Sequence, residues 1–217
     1  MPLVMVGTPM MRGQIEPDFL TSLLGMHRKM WKAGVPNYLA KCESSLISAS
    51  RNNIADVMKF DYLMWIDTDI KFPADGVLKL MKHNLDIVGG VVYYKFKPYN
   101  PAIHTLDDEG FFVPKADFPQ DKIFEVDGIG CAFVLIKKRV LQAFTEEIRK
   151  DIGQPYDLAT NPKTGLQDGE DLSFCRRVLH LGFKIYADPT IPLGHIGAYT
   201  YTRDDFLREK KGVLICP

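Results

Sequence analysis

Short continuous apolar runs alternate along the chain with stretches whose apolar residues recur every three or four positions. Leu3–Gly7, Asp86–Tyr93 and Ala132–Ile136 are runs of the first kind, and Tyr38–Cys42 is a weaker one. The most pronounced is Tyr62-Leu63-Met64-Trp65-Ile66, which runs directly into Asp67-Thr68-Asp69. Runs this short and this apolar read as strands buried on both faces, as in a parallel sheet. Helical patterns lie between them. Pro17 opens one in which Leu20, Leu23, Leu24, Met30 and Trp31 share a face, and Gly34 closes it. Ser48 or Ser50 caps a second, through Lys59, with Arg51 in its first turn and Ile54, Ala55, Val57 and Met58 inward. Pro73 opens a third, with Val77, Leu80 and Met81 inward, and a fourth runs from about Lys138 to Lys150. A fifth starts at Gly169-Glu170-Asp171, carries the stripe Leu172, Cys175, Val178, Leu179, and ends at Gly182 before a strand at Phe183–Asp188. Strands alternating with helices predict an α/β domain.

Two segments break the alternation. Lys95–Asp121 sets prolines among aromatic and acidic residues without a period, which reads as an exposed, mobile insertion with a small hairpin. Its flank offers Tyr93, Tyr94, Phe96 and Tyr99, either as stacking faces for a sugar ring or as core. The tail Thr202–Pro217 is charged and then apolar, a packing helix or the start of something longer.

Composition changes this picture little. The chain has 217 residues, 46% apolar and 25% charged, which suits one globular domain over 1–217. Lys+Arg and Asp+Glu both total 27, so no overall basic field favours nucleic acid. No apolar stretch reaches membrane-spanning length and no signal peptide is visible, so a soluble, cytoplasmic chain is expected. Cys42, Cys131, Cys175 and Cys216 lack CxxC spacing and read as reduced thiols.

Candidate chemistry collects at element ends. Asp67 and Asp69 end a core strand, where ligands of open α/β sheets bind. Two hard oxygen donors on a stiff terminus suit Mg²⁺ or Mn²⁺ with a substrate phosphate. A cation is disfavoured in the first turn of a helix, so Arg51 is expected to face a bound anion such as a diphosphate. Glu170 and Asp171, at a helix N-terminus, are placed for a general base. Asp127-Gly128-Ile129-Gly130 puts small residues before a core strand, where backbone or substrate can come close. His195 stands between Gly194 and Gly197, in a chain folded tightly around something.

The order of these features resembles the GT-A-fold glycosyltransferases, in particular the family 2-like group. Ser50-Arg51-Asn52, a short helix and a strand ending in Asp67-Thr68-Asp69 are similar to that group's Arg-Asn helix and DxD motif. Val126-Asp127-Gly128-Ile129-Gly130 resembles its acceptor-side strand. Gly169-Glu170-Asp171 with Arg176-Arg177 resembles its ED segment, and His195 its late histidine. The likeness spans Leu3 to Gly197. It implies a three-layer sandwich, with a mostly parallel central sheet and helices on both faces. It further implies Asp67, Asp69 and His195 around Mn²⁺ or Mg²⁺, and Thr8, Pro9, Arg51 and Thr68 at the nucleotide of a UDP- or GDP-sugar. Asp171 would be the base of an inverting transfer to a glycan or other hydroxyl acceptor, with Glu170 orienting it. No QxxRW motif follows, so a non-processive enzyme is implied. The alternatives are a nucleotidyltransferase that makes nucleotide sugars, against which Thr8–Gly13 offers only Arg12 and Gly13, and a non-catalytic carbohydrate-binding module.

Overall fold

The computed structural model describes residues 1–10, 15–57, 59–161 and 163–211. In chain order its elements are β1 (Val4–Met10), α1 (Pro17–Lys32), β2 (Asn37–Glu43), α2 (Ile47–Ala55), β3 (Tyr62–Ile66), β4 (Ile70–Lys71), α3 (Gly76–Lys82) and β5 (Ile87–Gly90). There follow β6 (Ile103–Leu106), β7 (Phe112–Pro114), β8 (Phe124–Val126), β9 (Gly128–Ile129), β10 (Phe133–Lys137), α4 (Lys138–Gln142) and α5 (Glu146–Ile152). The chain closes with α6 (Glu170–His180), β11 (Ile185–Asp188), β12 (Gly194–Ile196), β13 (Thr200–Thr202) and α7 (Arg203–Lys210).

The central sheet has seven strands in the order β2-β1-β3-β10-β5-β11-β8. It is mixed, not nearly all parallel. β10 runs against both β3 and β5, and β8 against β11. The remaining pairs are parallel, so β2, β1, β3, β5 and β11 share one direction. Their carboxyl ends therefore open on one edge, the place where ligands of such sheets bind. β10 is as apolar as its neighbours, and an apolar run carries no mark of direction. Two hydrophobic clusters cover the two faces. Trp65, Val134, Phe174 and Tyr156 belong to one, and Phe19, Met64, Ile66 and Phe133 to the other. Each such side chain contributes about 1.5–3 kcal/mol on full burial.

Several expectations are corrected. The inner stripe of α1 is Phe19, Met26 and Met30, with Leu23 half-buried, while Leu20, Leu24 and Trp31 are exposed. α2 starts at Ile47 after a Leu46 N-cap with no side-chain cap, so Arg51 lies in its second turn and not its first. The helix expected over 138–150 is two helices, with Thr145 capping the second through the Ile148 amide. The segment 95–121 is not simply exposed. Its hairpin β6–β7 takes β9 as a third strand, and Tyr99, Ile103 and Phe118 are buried. The tail is helical over Arg203–Lys210, while the readings of Arg12, Gly13, Met58 and Cys216 lie outside the described residues.

Candidate active site

β3 ends in a tight turn, with the Ile70 amide donating to the Asp67 carbonyl at 3.2 Å. That turn sends its two carboxylates to different partners. Asp67 accepts from the Arg51 guanidinium at 3.1 Å. Asp69 accepts from Lys95 Nζ at 2.6 Å and lies 3.3 Å from His195 Nε2. Thr68, half-buried, sits between them.

Arg51 is the hub of the first cluster. It is 1% exposed, and it faces Glu170 at 3.7 Å and Asp171 at 3.6 Å as well as Asp67. Its guanidinium also lies over the Trp65 ring at 5.1 Å, and the Trp65 indole donates to the Tyr156 hydroxyl at 2.6 Å. The anions that Arg51 meets are thus the protein's own carboxylates. Burial works against its charge, but Asp67 and Asp171 outweigh that and hold it protonated. The three carboxylates, each only partly buried, share that one cation. Burial lifts Asp67 to about 6, with Arg51 pulling the other way. Burial and the neighbouring Asp171 lift Glu170 to about 7.

The geometry of α6 places this acidic pair. Gly169 is its N-cap, so Glu170 and Asp171 occupy the first turn, where the helix dipole favours negative charge. That turn is pressed against β9. A Cβ on Gly128 would come within 2.9 Å of Leu172 and 3.0 Å of Phe112. The close approach that Asp-Gly-x-Gly permits is therefore that of α6 and the β7 hairpin. Cys175 Sγ accepts from the Ile129 amide at 3.4 Å, and Arg176 pairs with Asp168 at 2.7 Å. Asp171 Oδ1 is buried with no hydrogen-bond partner.

The second cluster is assembled by β12. His195 is in register with Ile70 of β4, and the Ile196 amide donates to the Asp69 carbonyl at 2.7 Å. This brings an imidazole from late in the chain onto the end of β3. The tight folding that its glycines suggest is the β12–β13 hairpin, since a Cβ on Gly194 would lie 2.4 Å from Thr200. His195 Nδ1 lies 2.8 Å from the Tyr93 carbonyl, which can only accept, so Nδ1 carries a proton. Nε2 is left aimed at Asp69. Burial alone would raise Asp69, but hydrogen bonds from His195 and Lys95 hold it down at about 2.

Among the described residues no three His, Cys, Asp or Glu side chains are grouped to hold a metal ion. Asp67 is engaged by Arg51 and does not join Asp69 and His195. The two that do converge nevertheless suit Mn²⁺ or Mg²⁺ chemically. A carboxylate oxygen and an Nε2 whose ring is oriented from behind are a familiar donor pair, and such ions commonly take their other ligands from water and substrate phosphates.

Thr8 and Pro9 lie at the same edge. β1 pairs with β3 as far as Gly7↔Trp65, and the next two residues continue toward the carboxyl end. Both are buried, and the Thr8 hydroxyl has no partner. Of the four aromatic residues flagged around position 95, Tyr93 and Tyr99 are core. Tyr94 stacks on the exposed Phe96, with ring centroids 5.1 Å apart. Burial and, less strongly, the Asp171 charge raise the Tyr94 hydroxyl. A cavity of about 740 Å³, lined by Phe72, Val91, Tyr93, Leu193, Arg203 and Asp204 among others, contains neither charge cluster. Lys95 escaped the reading of the sequence. Its only signal there was to be one of two lysines, with Lys97, set among aromatic residues.

The sequence matches no protein-family model and no curated protein. Solved structures with a similar fold include A197 from STIV, at 16% identity and a TM-score of 0.60, covering 93% of this chain and 91% of that one. The catalytic domain of Drosophila beta1,4galactosyltransferase 7, in complex with xylobiose, is 11% identical with a TM-score of 0.52, covering 92% of this chain and 68% of its own. GalNAc-T7 with UDP, GalNAc and Mn²⁺ superposes more loosely, at 13% identity and a TM-score of 0.49, covering 97% and 47%, too loose to argue from. At such identities the likeness concerns the fold, which is GT-A-like. No helix among the described residues is long and apolar enough to cross a membrane.

Proposed function

We propose that this protein is a metal-dependent glycosyltransferase moving a sugar from a nucleoside-diphosphate donor to an acceptor hydroxyl, with inversion and without processivity. One observation carries this reading. The two carboxylates of a single strand-end turn serve different partners: Asp69 meets His195 in a cation-ready pair, and Asp67 shares the Arg51 guanidinium with Glu170 and Asp171 of an acidic helix terminus. Transfer of a sugar needs both functions close together, one for the departing diphosphate and one for the incoming hydroxyl.

Asp69 and His195 would hold Mn²⁺ or Mg²⁺, with Asp67 supporting from its place on Arg51. A bound divalent cation acts as a Lewis acid on a departing diphosphate. Thr8, with its unpartnered hydroxyl, and Pro9 and Thr68 line the edge where the nucleotide would lie. Arg51 acts through the carboxylates it holds and not by touching phosphate. Asp171 takes the acceptor's proton as the acceptor oxygen bonds to the anomeric carbon and the diphosphate leaves with the electron pair of the broken bond. Glu170 holds a proton near neutrality and can donate a hydrogen bond that orients the acceptor. The stacked Tyr94 and Phe96 offer a face to a sugar ring.

Glu170 has a rival claim to the role of base, because a group titrating near 7 is well matched to proton transfer at neutral pH. Hydrolysis of UDP- and GDP-sugars in the presence of Mn²⁺ tests the reading and separates the two carboxylates. Asp69→Ala should abolish turnover, and Asp171→Asn should lower it about 10²–10⁴-fold. A larger loss in Glu170→Gln than in Asp171→Asn would exchange their roles. Turnover untouched by Asp69→Ala would remove the reading altogether.

A further inference from the structure

Lys95 is the one residue of the two clusters that the reading above leaves without work. Its ammonium lies 2.6 Å from Asp69 Oδ2, the oxygen that His195 Nε2 also faces at 3.3 Å. The backbone that carries it is tied down on both sides. The Tyr94 amide donates to the Asn100 carbonyl at 3.0 Å, and the Tyr99 amide to the Phe96 carbonyl at 2.8 Å. The stem has a seat as well, since a Cβ on Gly197 would lie 3.1 Å from Lys95 Cδ. The head remains one-third exposed. A fixed root, a grooved stem and a half-free head describe a cation with one degree of freedom at the mouth of the site.

We infer that Lys95 is a diphosphate-binding residue that exchanges Asp69 for the phosphate oxygens of the donor. This rests on the glycosyltransferase reading of the same edge. A divalent cation held at Asp69 would repel the positive charge already bonded to that ligand. Lysine is a compact point charge on a flexible four-carbon stem with three rotatable donors, so it leaves by a change of rotamer. A diphosphate bound with that cation would supply oxygens for the released ammonium. Lys95 thereby neutralises charge on the leaving group and selects donors by their phosphates, whatever the base or sugar.

Calorimetry tests this with Mn²⁺ alone and with inorganic pyrophosphate at saturating Mn²⁺ on the wild type, Lys95→Met and Lys95→Arg, and with UDP and GDP at saturating Mn²⁺ on the wild type. Lys95→Met should bind Mn²⁺ alone about tenfold more tightly, because its competitor is gone, and pyrophosphate about tenfold more weakly. Lys95→Arg should keep pyrophosphate binding within about threefold of the wild type. Lys95→Gln provides the same comparison if the Met variant does not fold. Wild-type binding of pyrophosphate that Lys95→Met leaves unchanged overturns the inference alone. A wild type that binds neither pyrophosphate nor UDP nor GDP with Mn²⁺ overturns the glycosyltransferase reading, and this inference with it.

Discussion

The two charge clusters share one turn of chain and have opposite charge ratios. Around Arg51, one buried cation serves three carboxylates, and two of them are driven up, Asp67 to about 6 and Glu170 to about 7. Around Asp69, one carboxylate lies between an ammonium and an imidazole and is held down at about 2. The first cluster is short of positive charge and takes up a proton near neutrality. The second holds its one carboxylate between Lys95 and His195 and presents an ionised oxygen at every physiological pH. Acid–base work suits the one and cation exchange suits the other. The residues decide this less than their surroundings do, since the chemistry at all four positions is carboxylate.

The largest expected effect comes from removing the hub. Arg51→Met leaves Asp67, Glu170 and Asp171 without a buried counter-charge, at a cost of about 3–5 kcal/mol at pH 7.5 by urea denaturation. The loss should shrink at pH 5, where Asp67 and Glu170 hold protons. An equal loss at both pH values would mean that the three carboxylates do not depend on Arg51.

A smaller effect separates the clusters by sign. The pKa of Glu170 is higher folded than its ordinary 4.5, so the native state binds more protons between pH 4.5 and about 7. Stability then falls as pH rises through that window, by on the order of 1–3 kcal/mol. Glu170→Gln should flatten thermal stability against pH there, leaving only the shallower slope of Asp67 between 3.8 and about 6. The smallest effect has the reverse sign. Asp69 is depressed from 3.8 to about 2, so its contribution is present above about pH 4 and is lost as pH falls toward 2. With chelator present, Asp69→Asn should remove about 1 kcal/mol of this acid limb, a modest figure because the side chain is one-third exposed. Slopes of the same sign in Glu170→Gln and Asp69→Asn would erase the contrast between the clusters.

The elements of this site were legible because their signals are local. An apolar run ending in Asp67-Thr68-Asp69 and a helix opening at Glu170 follow from neighbouring residues, and both elements stand where the pattern puts them. What escaped is set by distant partners. β10 shows nothing in its sequence of running against β3 and β5, because an apolar run fits either direction. Arg51 lies in the second turn and not the first because α2 begins at Ile47, with no capping side chain to mark its start. Asp67 and Asp69 diverge because of a turn, although DxD spacing suggests two oxygens on one ion. Lys95 reaches Asp69 through the chain beyond β5, and its own sequence offers no hint of that pairing.

Titrating UDP and GDP calorimetrically into the wild type and into Asp69→Asn, with and without Mn²⁺, addresses the central claim most directly. Binding of one nucleotide that requires Mn²⁺ and disappears in Asp69→Asn is the expected result. Binding of neither under any of these conditions, or metal-independent binding that Asp69→Asn leaves intact, contradicts the claim that this edge receives a nucleoside diphosphate through Asp69.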